Sequence, residues 1–235
     1  MAEDKGRLIE KQVLRWIHEQ RAIQERERPG AAAPLAAPRN PILTVSRQLG
    51  SGGTALAGRL AERLGFHLFD KEVLDVVSME TGVQRELLEA LDERARSGVE
   101  QWVDGVLHSR IMSGEDFVRS LGKVLGGIAQ MGSAVIVGRG TNFLLAGQPG
   151  FHIRFVAGLG YRVEAIMRRE GLSRADAETR VLRVDRERAE YIHRFLHQDI
   201  DDPTGYHVVL NLEATGLDAA LAAVVQLYGS MRRNA

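Results

Sequence analysis

The chain has 235 residues, of which 44% are hydrophobic, and its 31 basic side chains balance its 31 acidic ones. It has no cysteine, which excludes disulfides, thiolate metal sites and cysteine nucleophiles. A net charge of zero provides no overall attraction to nucleic acid or anionic lipid. Because no apolar stretch approaches the roughly 18 residues of a membrane helix and no signal core follows Met1, we expect a soluble cytoplasmic protein without membrane or nucleic-acid partners.

An amphipathic pattern opens the sequence and a proline-rich segment follows it. In residues 6–27 the large apolar side chains recur at helical spacing: Ile9, Val13, Trp16, Ile17 and Ile23. Residues 29–41 hold four of the six prolines, which is typical of a linker. We therefore predict a helix and linker over 1–40 and a main domain over 41–235. The helix is expected to be dispensable for that domain's fold, docking on it or forming a homodimer.

From residue 42 onward, strand-like apolar runs alternate with helical patterns. Short strands are predicted at 42–46, 67–69, 134–137, 151–157 and 206–212. Amphipathic helices are predicted at 55–65, 159–170, 173–197 and 217–231. Residues 71–132 are expected to be mostly helical, with breaks near Gly82, Ser97-Gly98 and Ser113-Gly114. The alternation predicts an α/β protein with a parallel sheet covered on both faces.

A glycine-rich segment, RQLGSGGT, joins the first predicted strand to the first helix, and we call these residues 47–54 the glycine turn. Glycines let successive backbone N–H groups point inward and the helix start adds positive charge, so such a turn can bind phosphate. In the phosphate-binding pattern G-x-x-x-x-G-K-[ST], Gly52 and Thr54 match. Arg47 replaces the first glycine and Gly53 the lysine, so a tight turn without a ligand is the alternative interpretation.

Arginines follow the later strands. Arg139 lies between two glycines directly after the strand at 134–137, at the strand end where open α/β sheets bind ligands. Its planar fork suits phosphate or a pyrimidine edge, although it could simply stabilise the turn. Nine arginines lie between residues 162 and 194, interleaved with acidic residues. Most should form surface ion pairs, and two or three are expected to bring positive charge to a phosphoryl group.

Three segments together resemble the cytidylate kinase-like family, a branch of the P-loop nucleoside monophosphate kinases: residues 44–74, 135–145 and 155–195. The resemblance extends over about residues 41–228. It implies a P-loop NTPase-type three-layer α/β/α fold with a five-stranded parallel sheet. Residues 71–132 would then form a helical region that binds the nucleoside monophosphate, and 159–197 an arginine-rich helical lid.

The resemblance also assigns roles to individual residues. The ATP phosphates would be bound by Gly50, Ser51, Gly52, Gly53 and Thr54. Thr54 would also bind Mg²⁺, Asp70 would help to hold the nucleoside, and Arg139 would bind the monophosphate. Arg188 and Arg194 lie near the positions of the catalytic lid arginines.

The chain departs from true cytidylate kinases at functional positions, because Gly53 stands for a lysine and Val137 and Gly140 stand for two aspartates. Phosphoryl transfer would then depend on backbone N–H groups, Thr54 and arginines, with Arg47 as a substitute charge. The leading hypothesis is an ATP- and Mg²⁺-dependent nucleoside monophosphate kinase acting on CMP or a related monophosphate. One alternative is a nucleotide-binding regulatory protein with weak or no transfer activity. Another is an interaction protein whose glycine turn is only structural.

Overall fold

The computed structural model describes residues 2–27, 40–79, 81–91, 93–108 and 115–234. The strands are β1 (Ile42–Arg47), β2 (His67–Phe69), β3 (Ala134–Val137), β4 (Gly150–Val156) and β5 (Val208–Asn211). The first helices are α1 (Ala2–Glu27), α2 (Gly53–Leu64), α3 (Lys71–Met79), α4 (Thr81–Glu89), α5 (Glu93–His108) and α6 (Glu115–Met131). The remaining ones are α7 (Thr141–Leu144), α8 (Leu159–Glu170), α9 (Arg174–Leu196), α10 (Leu212–Thr215) and α11 (Leu217–Asn234).

The five strands form one parallel sheet in the order β2-β3-β1-β4-β5, which confirms the predicted α/β class. In the β1–β3 register Thr44 lies opposite Ile136, and in the β4–β5 register Phe155 lies opposite Leu210. The strand order is not the chain order, so the connections cross over through helices. This order places β1 at the centre of the sheet, and the glycine turn follows its carboxyl end.

The chain divides into two compact units, and unit 2 contains most of the sheet. It comprises residues 43–68, 135–146 and 150–235. In its main core α2 and α11 pack on one face of the sheet, where Leu56, Leu60 and Val224 are fully buried with Phe155. Gly65 ends α2 in the left-handed conformation, as expected of the glycine that closes this helix.

Unit 1 comprises residues 1–42, 69–134 and 147–149, and it contains α1 together with α3 to α6. The apolar face of α1 is buried in it through Ile9, Val13, Trp16 and Ile17. The Trp16 ring meets the Phe69 ring edge-on, with 5.0 Å between the centroids. The N-terminal helix therefore docks on its own chain. Docking on its own chain is one of the two positions expected from the sequence, and the dispensability of the helix stays a prediction.

The predicted linker lies outside the described residues except for residues 40 and 41, and the domain boundary at residue 40 stays a prediction. The predicted helix break at Ser97-Gly98 is wrong, because α5 continues through it. A glycine inside a helix costs about 1 kcal/mol, and burial of Ala95, Val99 and Val103 on one face of α5 offsets that cost. The break predicted near Gly82 is confirmed, because α3 ends at Met79 and α4 begins at Thr81. Ser113-Gly114 lies outside the described residues. Among the helices described, none is long and apolar enough to cross a membrane.

The docking of α1 predicts a large effect for Ile17, whose exposed fraction is 1%. Ile17→Ala should lower the free energy of unfolding by about 2–4 kcal/mol, because it leaves a cavity in unit 1. The same substitution at Ile23, which is 47% exposed on the same helix, should change it by less than about 0.5 kcal/mol. Denaturant titrations followed by circular dichroism measure both. Equal values for the two variants would show that α1 is not part of the folded unit.

Candidate functional site

The glycine turn is shaped by two glycines and one buried serine. Gly50 and Gly52 have φ values of +81° and +91°, in the left-handed region that favours glycine. The hydroxyl of Ser51 donates to the Gln48 carbonyl at 2.9 Å and accepts the N–H of Gly53 at 3.3 Å. Ser51 is fully buried, so this side chain holds the turn from inside.

The turn leaves backbone donors open towards solvent. Within the described parts of the chain, the N–H groups of Gly50, Gly52 and Thr54 have no hydrogen-bond partner. The two glycines are half-buried and Thr54 is exposed. Because these donors lie at the start of α2, where the helix dipole is positive, the turn fits the phosphate groups of a nucleotide.

Gly53 has no room for the lysine of related loops. Its backbone is not in the left-handed region, so glycine is not required there by conformation. A Cβ at this position would lie 2.8 Å from the Cβ of Arg47 and 2.9 Å from the Cβ of Phe155. The missing lysine is thus explained by packing against β1 and β4.

Arg47 places a cation on the glycine turn. Its Nε lies 3.4 Å from the Thr54 hydroxyl, and its Nη1 lies 2.8 Å from the place a Cβ would take on Gly138. The side chain therefore extends from the glycine turn towards the end of β3. Arg188 of α9 donates from Nη1 to the Arg47 carbonyl at 3.0 Å, and burial lowers the pKa of its guanidinium.

The predicted monophosphate-binding arginine occupies an unusual backbone conformation. Arg139 has φ +55° and lies between Gly138 and Gly140, which also have positive φ. Its guanidinium carbon lies 6.0 Å from the centre of the Tyr191 ring of α9. A Cβ at Gly140 would meet the ends of the Leu196 and Ile192 side chains of α9, the latter at 2.6 Å, so glycine lets these side chains pack closely there. A non-glycine residue in this region costs roughly 1–3 kcal/mol, and such residues cluster at functional sites.

Two other predicted site residues have different surroundings. Arg194 is exposed and lies over the ring of Phe195, with 5.4 Å to the centroid. Asp70, in unit 1, accepts the N–H groups of Glu72 and Val73 at 3.0 Å each, and so caps the start of α3. Of the three predicted catalytic arginines, the structure brings Arg47 and Arg188 together.

Sequence reasoning missed a buried polar network beneath this edge of the sheet. Arg154 of β4 donates to the Ser46 hydroxyl at 2.9 Å and pairs with Asp201 at 2.5 Å. Tyr206 donates from its hydroxyl to the Ile200 carbonyl at 2.9 Å and lies beside the same guanidinium. The sequence signal that could have revealed this network was a charged residue in the middle of a largely apolar strand. A buried arginine needs polar or charged partners, and Ser46 and Asp201 provide them for Arg154.

Asp185 and Arg162 were also missed. Arg162 was counted among nine similar arginines, and Asp185 among the acids between them. The Asp185 carboxylate forms an ion pair with the Arg162 guanidinium and accepts the N–H of Leu49, in the glycine turn, at 2.9 Å. The sequence carries no sign of this contact, because Leu49 and Asp185 are 136 positions apart.

His152 is buried on the same strand as Arg154. Its Nδ1 lies 2.8 Å from the Thr44 hydroxyl, and its backbone N–H donates to the His207 ring at 2.9 Å. Burial, together with the nearby His207, lowers the pKa of His152 to about 4. The folded protein therefore holds this imidazole neutral.

The lowered pKa of His152 predicts acid sensitivity. Below about pH 6.5 the unfolded chain takes up a proton that the folded one accepts only near pH 4, so the free energy of unfolding falls as pH drops through this window. The full effect is about 3 kcal/mol, and His207 acts in the same direction. Urea titrations at pH 7.5 and 4.5 should show a smaller decrease for His152→Gln than for the wild type. The exposed His193→Gln is the control, and an equal decrease in all three proteins would contradict the assignment.

The residues present can be compared with the needs of ATP and Mg²⁺. The open N–H groups of the glycine turn fit phosphate oxygens, and Thr54 offers an exposed hydroxyl as a metal ligand. Among the described residues no group of three or more histidine, aspartate or glutamate side chains could hold a metal ion. A magnesium ion here would therefore take most of its ligands from phosphate and water, as this ion usually does.

Comparison with known proteins adds the family. The model of the cytidylate kinase-like family matches residues 42–214. A solved structure of an uncharacterized protein from Eubacterium ventriosum is 21% identical, with a TM-score of 0.64 over 81% of this chain and 99% of that one, and shares the fold. A shikimate kinase from Bacteroides thetaiotaomicron is 14% identical with a TM-score of 0.44, over 80% and 97% of the two chains. A gluconokinase from Sinorhizobium meliloti is 14% identical with a TM-score of 0.47, over 84% and 99%. The search of curated proteins found no match.

Proposed function

Because the chain belongs to the cytidylate kinase-like family, we propose that it is a cytoplasmic, ATP-dependent nucleoside monophosphate kinase. It transfers the γ-phosphoryl group of ATP to CMP or a related monophosphate. One observation carries the proposal: Arg47 extends from a glycine turn whose N–H groups at Gly50, Gly52 and Thr54 are open. Donors and a cation at one loop are what a polyphosphate requires.

In the proposed reaction an oxygen of the acceptor phosphate attacks the γ-phosphorus while the bond to the β-phosphate oxygen breaks, giving ADP and a nucleoside diphosphate. The open N–H groups bind the ATP phosphates, and Arg47 balances the charge that spreads over the transferring group. Arg188 holds the backbone of Arg47. Arg139 binds the acceptor phosphate. Magnesium, when bound at Thr54, would neutralise charge on the phosphates.

A nucleotide-binding regulatory protein is the second candidate. It is favoured by the packing at Gly53, which leaves no space for the lysine that bridges phosphates in related loops. Loss of one preorganised cation costs on the order of 10²–10³ in rate unless another group replaces it. The two candidates therefore differ in whether Arg47 substitutes for the lysine.

A coupled assay with ATP, Mg²⁺ and a panel of monophosphates tests the proposal, alongside calorimetric titration with ATP. We expect turnover with a pyrimidine monophosphate, and a loss of about 10²–10³ in kcat/KM for Arg47→Ala. The control is Arg183→Ala, because Arg183 is 48% exposed and pairs with Glu187 on the surface of α9. ATP binding without turnover would support the regulatory protein instead. Absence of nucleotide binding would exclude both candidates.

A further inference from the structure

We propose that Asp185 and Arg162 are positioning residues that fix the glycine turn to the arginine-rich helices α8 and α9. The two helices would then form one rigid body with the nucleotide phosphate site instead of a lid that moves independently of it. The anchoring itself is independent of the proposed kinase activity, whereas its effect on turnover rests on that function.

The backbone of Leu49 is held from both sides. Its N–H donates to Asp185 Oδ1 at 2.9 Å, and its carbonyl accepts Arg162 Nη1 at 3.4 Å. Arg162 is held in turn, because its Nε donates to the Ala157 carbonyl at 2.9 Å and its Nη1 pairs with Asp185. Both polar groups of one turn residue are thus bound by two charged side chains that also bind each other.

The side chain of Leu49 provides a second, apolar anchor. It packs against the small core that α8 and α9 form between them, where Val163, Ile166, Ala177 and Val181 are buried. At the next residue, a Cβ on Gly50 would lie 2.6 Å from the Arg162 carbonyl, so only glycine allows this approach. The turn and the start of α8 are therefore in direct backbone contact.

Burial distinguishes this ion pair from the other pairs of α8 and α9. The side chains of Arg162 and Asp185 are 8% and 23% exposed, whereas those of Arg183 and Glu187 are 48% and 54% exposed. A pair on the surface contributes little, while removing one partner of a buried pair leaves a charge without compensation. The positions of the arginines around the turn should depend on this pair.

Asp185 also lies near Arg188 of α9. Its Oδ1 lies 3.7 Å from Arg188 Nη1, and that same nitrogen donates to the Arg47 carbonyl. One carboxylate therefore links the backbone ahead of Gly50, the guanidinium of Arg162 and the arginine that holds Arg47. Asp185 acts on the ATP phosphates through the turn, without contacting them.

Hydrogen exchange measured on the ligand-free protein tests the anchoring directly. In Asp185→Ala the amide of Leu49 should exchange at least tenfold faster than in the wild type. Asp185→Asn keeps an oxygen that can accept this N–H, so its rate should lie between the two. Glu187→Gln, on the exposed face of the same helix, should leave the rate unchanged. An unchanged Leu49 rate in a folded Asp185→Ala protein would overturn the proposal.

If Asp185→Ala does not fold, exchange is measured in Asp185→Asn and Leu49→Ala, because each of these variants removes one part of the anchor. Unchanged amide exchange across the glycine turn in both variants would overturn the proposal.

Steady-state kinetics provide a second readout, because a purely structural role would change the KM values for both substrates together. For Asp185→Ala the KM for ATP should rise about tenfold or more while the KM for the monophosphate changes less, with partial rescue in Asp185→Asn. An equal rise in both would contradict action through the turn. If the wild type neither binds ATP nor turns over, the kinase proposal fails, and the exchange result still decides the anchoring.

Discussion

Gly53→Lys is expected to destabilise the protein and to weaken ATP binding, although it restores the lysine of related loops. The new Cβ would lie 2.8 Å from the Cβ of Arg47 and within 3.0 Å of two Phe155 atoms. Phe155 is fully buried in β4 and cannot move away without disturbing the core of unit 2. Overpacking of this kind costs about 1–3 kcal/mol, and the displaced Arg47 would no longer lie along the turn.

Gly58 on the same helix provides the matched control, because no atom of the described residues outside its own stretch of helix lies within 4 Å of the position of its Cβ. Gly58→Lys should leave ATP affinity unchanged. It should raise stability slightly, because lysine favours a helix over glycine by up to about 1 kcal/mol. Thermal melting and calorimetric titration with ATP, made on both variants, measure the two effects. Tighter ATP binding by Gly53→Lys at unchanged stability would show that the site accepts a lysine and that Arg47 is not its replacement.

Arg139→Ala is expected to raise the KM for the monophosphate about 10–100-fold, with a much smaller change in the KM for ATP. This increase in KM corresponds to about 1.5–3 kcal/mol, the contribution of the charge-assisted hydrogen bonds to the acceptor phosphate that the variant loses. Arg139→Gly should show the same kinetic defect but a higher stability than Arg139→Ala, because glycine adopts the φ of +55° without strain. This pair of variants separates the guanidinium's role from the cost of its backbone conformation.

Steady-state kinetics with each substrate varied in turn provide the measurement for Arg139. Arg183→Ala serves again as the control for loss of a surface arginine, with no expected change in either KM. Equal increases in both KM values for Arg139→Ala would indicate a general disturbance of the site. Unchanged values would mean that Arg139 only stabilises the turn between β3 and α7.

The order of strands and helices was predictable from the sequence because it depends on local patterns. The apolar run of β1, the glycine turn and the amphipathic α2 are adjacent in the chain, and their periodicity and glycines suffice to identify them. Gly50 and Gly52 do adopt the left-handed conformation that a phosphate-binding turn uses. The family resemblance over the same segments is confirmed by the family match. The docked position of α1 was left open, because an amphipathic pattern does not specify which surface covers it.

Contacts between distant segments decided the surroundings of the individual arginines and of Gly53. Arg162, Arg183 and Arg188 follow similar acid-rich patterns on α8 and α9, yet one is buried against Asp185, one is on the surface and one reaches Arg47. Likewise, nothing in the chain around Gly53 reveals that Phe155 of β4 fills the space a lysine would need. A guanidinium's role depends on its burial and on the groups that desolvate it, and these come from elements far away in the chain. Local sequence therefore determined where the glycine turn lies, and tertiary packing alone determined which arginines contact it.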